Sequence, residues 1–331
     1  MIKLLKILLL SICFLFAILR NIFAIENRVD YHAPIGVMRD HIHDKNDFML
    51  AYRYKNMSMR GLANNRKDIS LQQAMENYMN AAINMSMKMH MISAMYGVTD
   101  KFTISLMGAY LEKDMKLKNK MSSSIKSRNI EGVSDVKLNG LYQFYNNNNK
   151  KAQFNFGLNI PIGKINNSKE GKMLAYGMQN GSGTVDFMPG ISFSSLLNSF
   201  SYGAQLNSTI RTGRNYRGYR FGDNYNATLW LAKKLTNNIS ISTRIDANIT
   251  DEINQSDQEL ANMSNMAPPM NNDLYDKKQI DSLIGINYLI TNGYLSGNRF
   301  AFEYGVPIYQ RIDGPMLKNK YKITFGWQKS F

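Results

Sequence analysis

From residue 46 onward the chain is a series of segments in which apolar and polar side chains alternate. A period of two marks a β-strand with one apolar and one polar face. The final segment carries Tyr321, Ile323, Phe325, Trp327 and Phe331 on one face and Lys322, Thr324, Gly326, Gln328 and Ser330 on the other. Lys329 is the one charge on its apolar face, placed where a membrane interface would tolerate it. Near the start, Phe48, Leu50, Tyr52 and Tyr54 alternate with Met49, Ala51, Arg53 and Lys55. Then Met85, Met87, Met89, Met91 and Met95 alternate with Lys88, His90, Ile92, Ala94 and Tyr96. Between Ile239 and Ile249 the polar face is Ser240, Ser242, Arg244, Asp246 and Asn248. About twelve such segments of roughly 9–13 residues follow one another, an even number of membrane-spanning length.

The connections alternate too. Residues 60–83, 114–133, 162–183, 212–223, 251–277 and 310–319 are long and polar, whereas those near 97–101, 146–151, 196–199, 236–238 and 291–298 are short. That order suits an up-and-down barrel with one rim in the periplasm and the other outside. Aromatics near segment ends, such as Tyr96, Phe102, Tyr142, Phe144 and Tyr288, suit interfacial girdles. A backbone exposed to lipid must satisfy its hydrogen bonds internally. Without an apolar run of helical membrane length after the leader, a closed barrel is the one spanning option. The expected fold is therefore all-β, a transmembrane antiparallel up-and-down barrel of about twelve strands over 46–331, in the bacterial outer membrane with both termini periplasmic.

Ahead of the barrel, residues 1–24 read as a cleaved signal peptide, with Lys3 and Lys6 before an apolar core and Ala24 at its end. Cys13, the single cysteine, lies within it, so the mature protein has no thiol chemistry. Residues 25–45 are polar, with Pro34 and Gly36 opposing regular structure, and read as a periplasmic N-terminal arm.

The formal charge of the chain is +15, and +12 without the three bases of the leader. An exported chain does not meet the genome, so nucleic acid is excluded as a partner. Anionic headgroups or solutes fit better. With the apolar face toward lipid, the lumen receives Arg53, Lys55, Asp135, Lys137, Asp186, Arg211, Arg244, Asp246, Asp281, Arg299 and Glu303. Such a mixture either lines an aqueous path or forms an ion-pair lattice.

Methionine is unusually common, with 22 residues. Met49, Met57, Met59, Met85, Met87, Met89, Met91, Met95 and Met107 share the inward face on three neighbouring strands. Thioethers make an adaptable apolar lining, and they are also soft ligands that could pass Cu(I). In the arm, His41 and His43 are two apart, so an extended backbone aims both imidazoles one way. With His32, Asp40 and Asp44 nearby, a metal site is conceivable there. No cofactor beyond possible copper is implied. Catalysis is not expected, because His90 and Ser93 point to opposite faces and Ile92 holds the place where a His-x-Ser lipase pair would need serine.

Several stretches carry a resemblance. Ala33-Pro-Ile-Gly-Val-Met-Arg-Asp-His-Ile-His43 running into Phe48-Met-Leu-Ala-Tyr-Arg-Tyr54 is similar to the opening of the meta-pathway phenol-degradation family of outer-membrane proteins. So are the Met85–Tyr96 strand, Ser134-Asp-Val-Lys-Leu138, Gly181-Ser-Gly-Thr-Val-Asp186, Arg217–Tyr225 and Glu303–Pro315. The resemblance implies a barrel that carries aromatic or other hydrophobic compounds.

The expectation is an outer-membrane channel or transporter for small hydrophobic or amphipathic solutes. Met49, Met57, Met59, Met85, Met87, Met89, Met91 and Met107 would line it, with Arg53, Lys55, Arg244 and Asp246 as polar contacts. Alternatives are a copper-handling barrel using the methionines with His41 and His43, and a closed structural or adhesive barrel. Expected partners are outer-membrane lipid, the solute, and the barrel-assembly machinery, which would read Tyr321, Ile323, Phe325, Trp327 and Phe331.

Overall fold

The computed structural model describes residues 28–147 and 149–331. The leader at 1–24 lies outside the described residues. The alternating segments form one antiparallel meander: β1 (Phe48–Asn65), β2 (Asn80–Thr99), β3 (Phe102–Asn119), β4 (Val136–Asn147), β5 (Lys150–Ile160), β6 (Gly190–Leu197), β7 (Phe200–Arg211), β8 (Asn224–Lys234), β9 (Ile239–Thr250), β10 (Lys277–Leu289) and β11 (Asn298–Ser330). Each pairs with its sequence neighbours, and β11 returns to β1, so the sheet closes. Phe48 and Phe331 complete the seam with reciprocal backbone hydrogen bonds of 3.2 and 2.7 Å. No helix among the described residues is long and apolar enough to cross a membrane.

Every pairing in the ring is antiparallel, and such a ring closes only with an even number of passes. Eleven continuous strands satisfy this because β11, 33 residues long, passes twice. Its first half pairs with β10 and its second with β1. The halves also meet each other. Gln310 and Asn319 exchange hydrogen bonds of 3.1 and 2.8 Å, and the Tyr304 and Tyr321 rings stack at 6.2 Å. The barrel thus has twelve crossings. The segment expected as a loop at 310–319 lies inside this continuous strand, where the chain reverses near Gly314-Pro315.

The apolar faces point outward, leaving Ile104, Leu106, Phe156, Leu158, Leu229 and Ile245 exposed as a lipid-facing belt. Lys329 departs from the expected interfacial position. It is buried, with its ammonium 5.1 Å from the Phe331 ring, where the π-face offsets part of the lost hydration.

The wall is uneven in height. β1, β2 and β3 run 18, 20 and 18 residues, against 8–13 for the other single-pass strands. Part of the expected 114–133 loop is accordingly wall: β3 continues to Asn119, and Ile125–Val133 pairs with its outer half. Over the long-loop rim, residues 161–185 fold inward. Asp135 accepts from the Gly163 and Ser182 amides at 3.0 and 2.8 Å, and Lys113 donates to the Gly177 carbonyl at 2.9 Å. Leu174 and Met178 pack on Met115 and Leu117 of β3, while Tyr176 packs with Tyr219, Ile253 and Leu260 from the facing loops. This loop therefore bridges the mouth.

Candidate functional site

The other end of the lumen is filled by the arm. Residues 28–47 are irregular, as Pro34 and Gly36 predict, but much of the segment is buried inside the barrel. Its carbonyls take the place of water for lumenal donors. Arg53 donates to the Ile35 carbonyl at 3.1 Å and Arg299 to that of Ala33 at 2.8 Å. Gln153 reaches the Arg39 carbonyl at 3.0 Å, and Gln205 that of Met38 at 2.9 Å. Ala33 and Val37 pack on Trp230 of β8. Gly36 runs so close to Arg244 and Glu303 that a Cβ there would lie 2.4 Å from each side chain.

Between arm and outer loop lies a cavity of about 390 Å³, and a second of about 260 Å³ lies on the terminus-bearing side of the arm. Two unlike walls enclose the larger one. On β9, β10 and β11, Arg244 grips Glu303 through two hydrogen bonds of 2.6 and 3.0 Å and contacts Asp246 at 3.0 Å. Lys322 joins Asp246 at 2.9 Å to Asp281 at 2.7 Å. These charges form a closed lattice.

Across the lumen, β1, β2 and β3 present sulfur instead. Strand register places Met49 opposite Met95, Arg53 opposite Met91, Lys55 opposite Met89, Met57 opposite Met87, and Met59 opposite Met85. On the next strand Met107 faces Ser93 and Met115 faces Met85. Lys137 on β4 sits directly opposite Met107. The methionine surface at the cavity is thus bracketed by two ammonium groups, Lys55 and Lys137. Both line the cavity, and neither makes an ion pair or side-chain hydrogen bond among the described residues. A third cation, Arg39 of the arm, touches neutral partners, the Asn207 and Asn139 side-chain oxygens at 2.9 and 3.2 Å. Burial lowers its guanidinium to about 10, so it is still charged at neutral pH.

Of the residues singled out in the sequence, the cavity brings together Met49, Arg53, Lys55, Met89, Met91, Met107, Arg244 and Asp246. Met57, Met59, Met85 and Met87 continue the same inward face toward the long-loop rim, beyond the cavity lining. Met85 packs there with Leu174 and Met178. Arg39 and Met188 also line the cavity. Arg39 belongs to the irregular arm, so periodicity could not flag it, whereas Met188 follows Asp186 on the inward face of a segment that pairs with β5.

In the arm, His41 and His43 approach through their Nε2 atoms at 3.2 Å, while the other nitrogen of His41, Nδ1, lies 3.3 Å from His32 Nδ1 and 2.9 Å from Asp40 Oδ1. His90 is outside this group. It faces outward with Nδ1 2.7 Å from the Tyr52 hydroxyl, while Ser93 is buried on the lumenal face.

A model of the family described as "Putative MetA-pathway of phenol degradation" matches residues 73–258. The chain belongs to this family. Among solved structures, an outer membrane channel from Pseudomonas putida F1 aligns with 88% of this chain and 98% of its own at a TM-score of 0.60 and 11% identity. A FadL homologue from Pseudomonas aeruginosa aligns with 87% of this chain and 90% of its own, at 8% identity and a TM-score of 0.41. No curated protein matches the chain. This member of the phenol-degradation family has the closed antiparallel β-barrel fold of that outer membrane channel.

Proposed function

We propose that this family member carries small amphipathic anions across the outer membrane, aromatic carboxylates and sulfonates foremost. The observation behind this reading is the methionine surface bracketed by Lys55 and Lys137. Methionine adapts to irregular apolar shapes and makes favourable sulfur–aromatic contacts of roughly 0.3–1.5 kcal/mol. The ammonium groups supply point charges for an anionic head, and among the described residues no carboxylate forms an ion pair with either. Arg39 adds a third cation from the arm. A cavity of about 390 Å³ suits a single-ring solute. Arg53, Arg244 and Asp246 hold the arm and the facing wall rather than the solute.

The terminal strand, with Tyr321, Ile323, Phe325, Trp327 and Phe331, would be the part read by the barrel-assembly machinery. A purely structural barrel has no use for two unsatisfied cations beside an apolar lining, so that alternative is disfavoured.

Calorimetric titration of the refolded protein with 4-toluenesulfonate, 4-methylbenzyl alcohol and a disaccharide tests the reading. The sulfonate should bind most tightly and the sugar not at all. Lys55→Gln with Lys137→Gln should bring the sulfonate down to the affinity of the alcohol. Equal binding of sulfonate and alcohol to the native protein would contradict the anionic head, and binding of neither would contradict the site.

A further inference from the structure

We infer that the arm holds a divalent first-row transition ion between His32, Asp40 and His41. Three of the four histidines in the chain converge here, two of them buried, inside an outer-membrane barrel. One nitrogen from each of His32 and His41 and one oxygen of Asp40 lie within 4.8 Å of one another. A tetrahedral ion with metal–nitrogen bonds of roughly 2.0–2.1 Å keeps two ligand nitrogens roughly 3.3 Å apart. The His32 and His41 Nδ1 atoms are 3.3 Å apart.

The surroundings orient these ligands. Asp40 Oδ2 accepts the Ala33 amide at 2.9 Å, which turns Oδ1 toward the imidazoles. With Nδ1 of His41 on the ion, its Nε2–H donates to His43 Nε2, 3.2 Å away. That is the outer-shell contact that sets the tautomer of a ligating histidine. His43 is then a positioning residue, and the pair expected from the sequence, His41 with His43, becomes one ligand and its support.

Two imidazoles and one carboxylate suit Zn²⁺ or Cu²⁺ rather than Ca²⁺ or Mg²⁺. A fourth position is left for water or an anionic group. The site lies between compartments, because Asp40 and His41 line the larger cavity while His32 and His43 line the smaller. It also joins the chain on both sides of residues 33–39, so a bound ion closes that segment into a loop. Its evidence is separate from the solute reading: neither Lys55 nor Lys137 takes part.

Cobalt(II) is the probe, because its visible absorption reports coordination number. Full-length mature protein, refolded and checked by heat-modifiable mobility, is titrated with Co²⁺ and then with Zn²⁺ as competitor. One equivalent should give an intense visible band that Zn²⁺ removes. His32→Gln and Asp40→Asn should each weaken binding by no less than roughly tenfold, the loss typical even of outer-shell partners. His43→Gln should retain the band with weaker affinity, and His90→Gln should leave both unchanged. Absence of the band in folded native protein would overturn the inference. So would its persistence in the His32→Gln, Asp40→Asn double variant, or its loss in His43→Gln with His32→Gln unaffected.

Discussion

The two sides of the lumen solve opposite problems. On β9, β10 and β11 the inward charges are joined into a lattice of short contacts: Arg244 with Glu303 and Asp246, Lys322 with Asp246 and Asp281. Nothing on that side is left for a ligand. On β1 to β4 the inward residues are thioethers flanked by Lys55 and Lys137, which have no such partners. Buried charges are tolerated when paired, and removing one partner exposes the full desolvation penalty. Methionine carries no such penalty and conforms to what it touches. One wall fixes the barrel, and the other is free to accommodate.

The sharpest way to break this contrast is Arg244→Leu. It leaves Glu303 buried without its bidentate partner and should cost about 3–5 kcal/mol in denaturant unfolding. The Arg244→Leu, Glu303→Leu double variant should recover most of that. If the single variant unfolds like the native protein, the lattice is not what holds that wall. Replacing Met89, Met91 and Met107 by leucine should cost less than about 1.5 kcal/mol at each site, as volume-conserving swaps do.

Next in size is the arm. Gly36→Val places a side chain where Arg244 and Glu303 already stand, and their mutual grip leaves them little freedom to yield. The arm should loosen, raising single-channel conductance several-fold and exposing residues 33–39 to protease. Unchanged conductance would show that the arm is not what fills the path.

Smaller effects belong to the accommodating wall. Lys55→Gln or Lys137→Gln alone should weaken 4-toluenesulfonate roughly tenfold, as expected for a hydrogen bond to a charged group worth about 1.5–3 kcal/mol. The Met→Leu triple variant should weaken aromatic solutes least, by the roughly 0.3–1.5 kcal/mol of a sulfur–aromatic contact, and leave an aliphatic sulfonate unaffected. Equal losses for both would mean shape, not sulfur, is recognised.

The barrel was legible because its two constraints are written locally. A period of two assigns each side chain to lipid or lumen, and long and short connections assign each turn to a rim. The inward placement of Met89, Met91, Arg53 and Arg244 follows from that period alone. The arm was not legible in the same way. Its polar residues resemble a solvated peptide, and what makes it an interior segment is the set of lumenal donors it meets, Arg53, Gln153, Gln205 and Arg299. The role of Arg39 and the direct approach of His32 to Asp40 and His41 depend on that folding; spacing singled out His41 and His43, with His32, Asp40 and Asp44 only as neighbours. Met115 escaped because β3 extends past the point where polarity suggested a loop.

The most direct test is flux of radiolabelled 4-toluenesulfonate into proteoliposomes. The probe is an anion at every working pH, so it does not leak through lipid as a neutral acid would. Saturable uptake is expected, reduced at least tenfold in the Lys55→Gln, Lys137→Gln double variant, with a disaccharide excluded throughout. Uptake no faster than in protein-free liposomes, or entry of sugar and sulfonate at equal rates, would contradict the account.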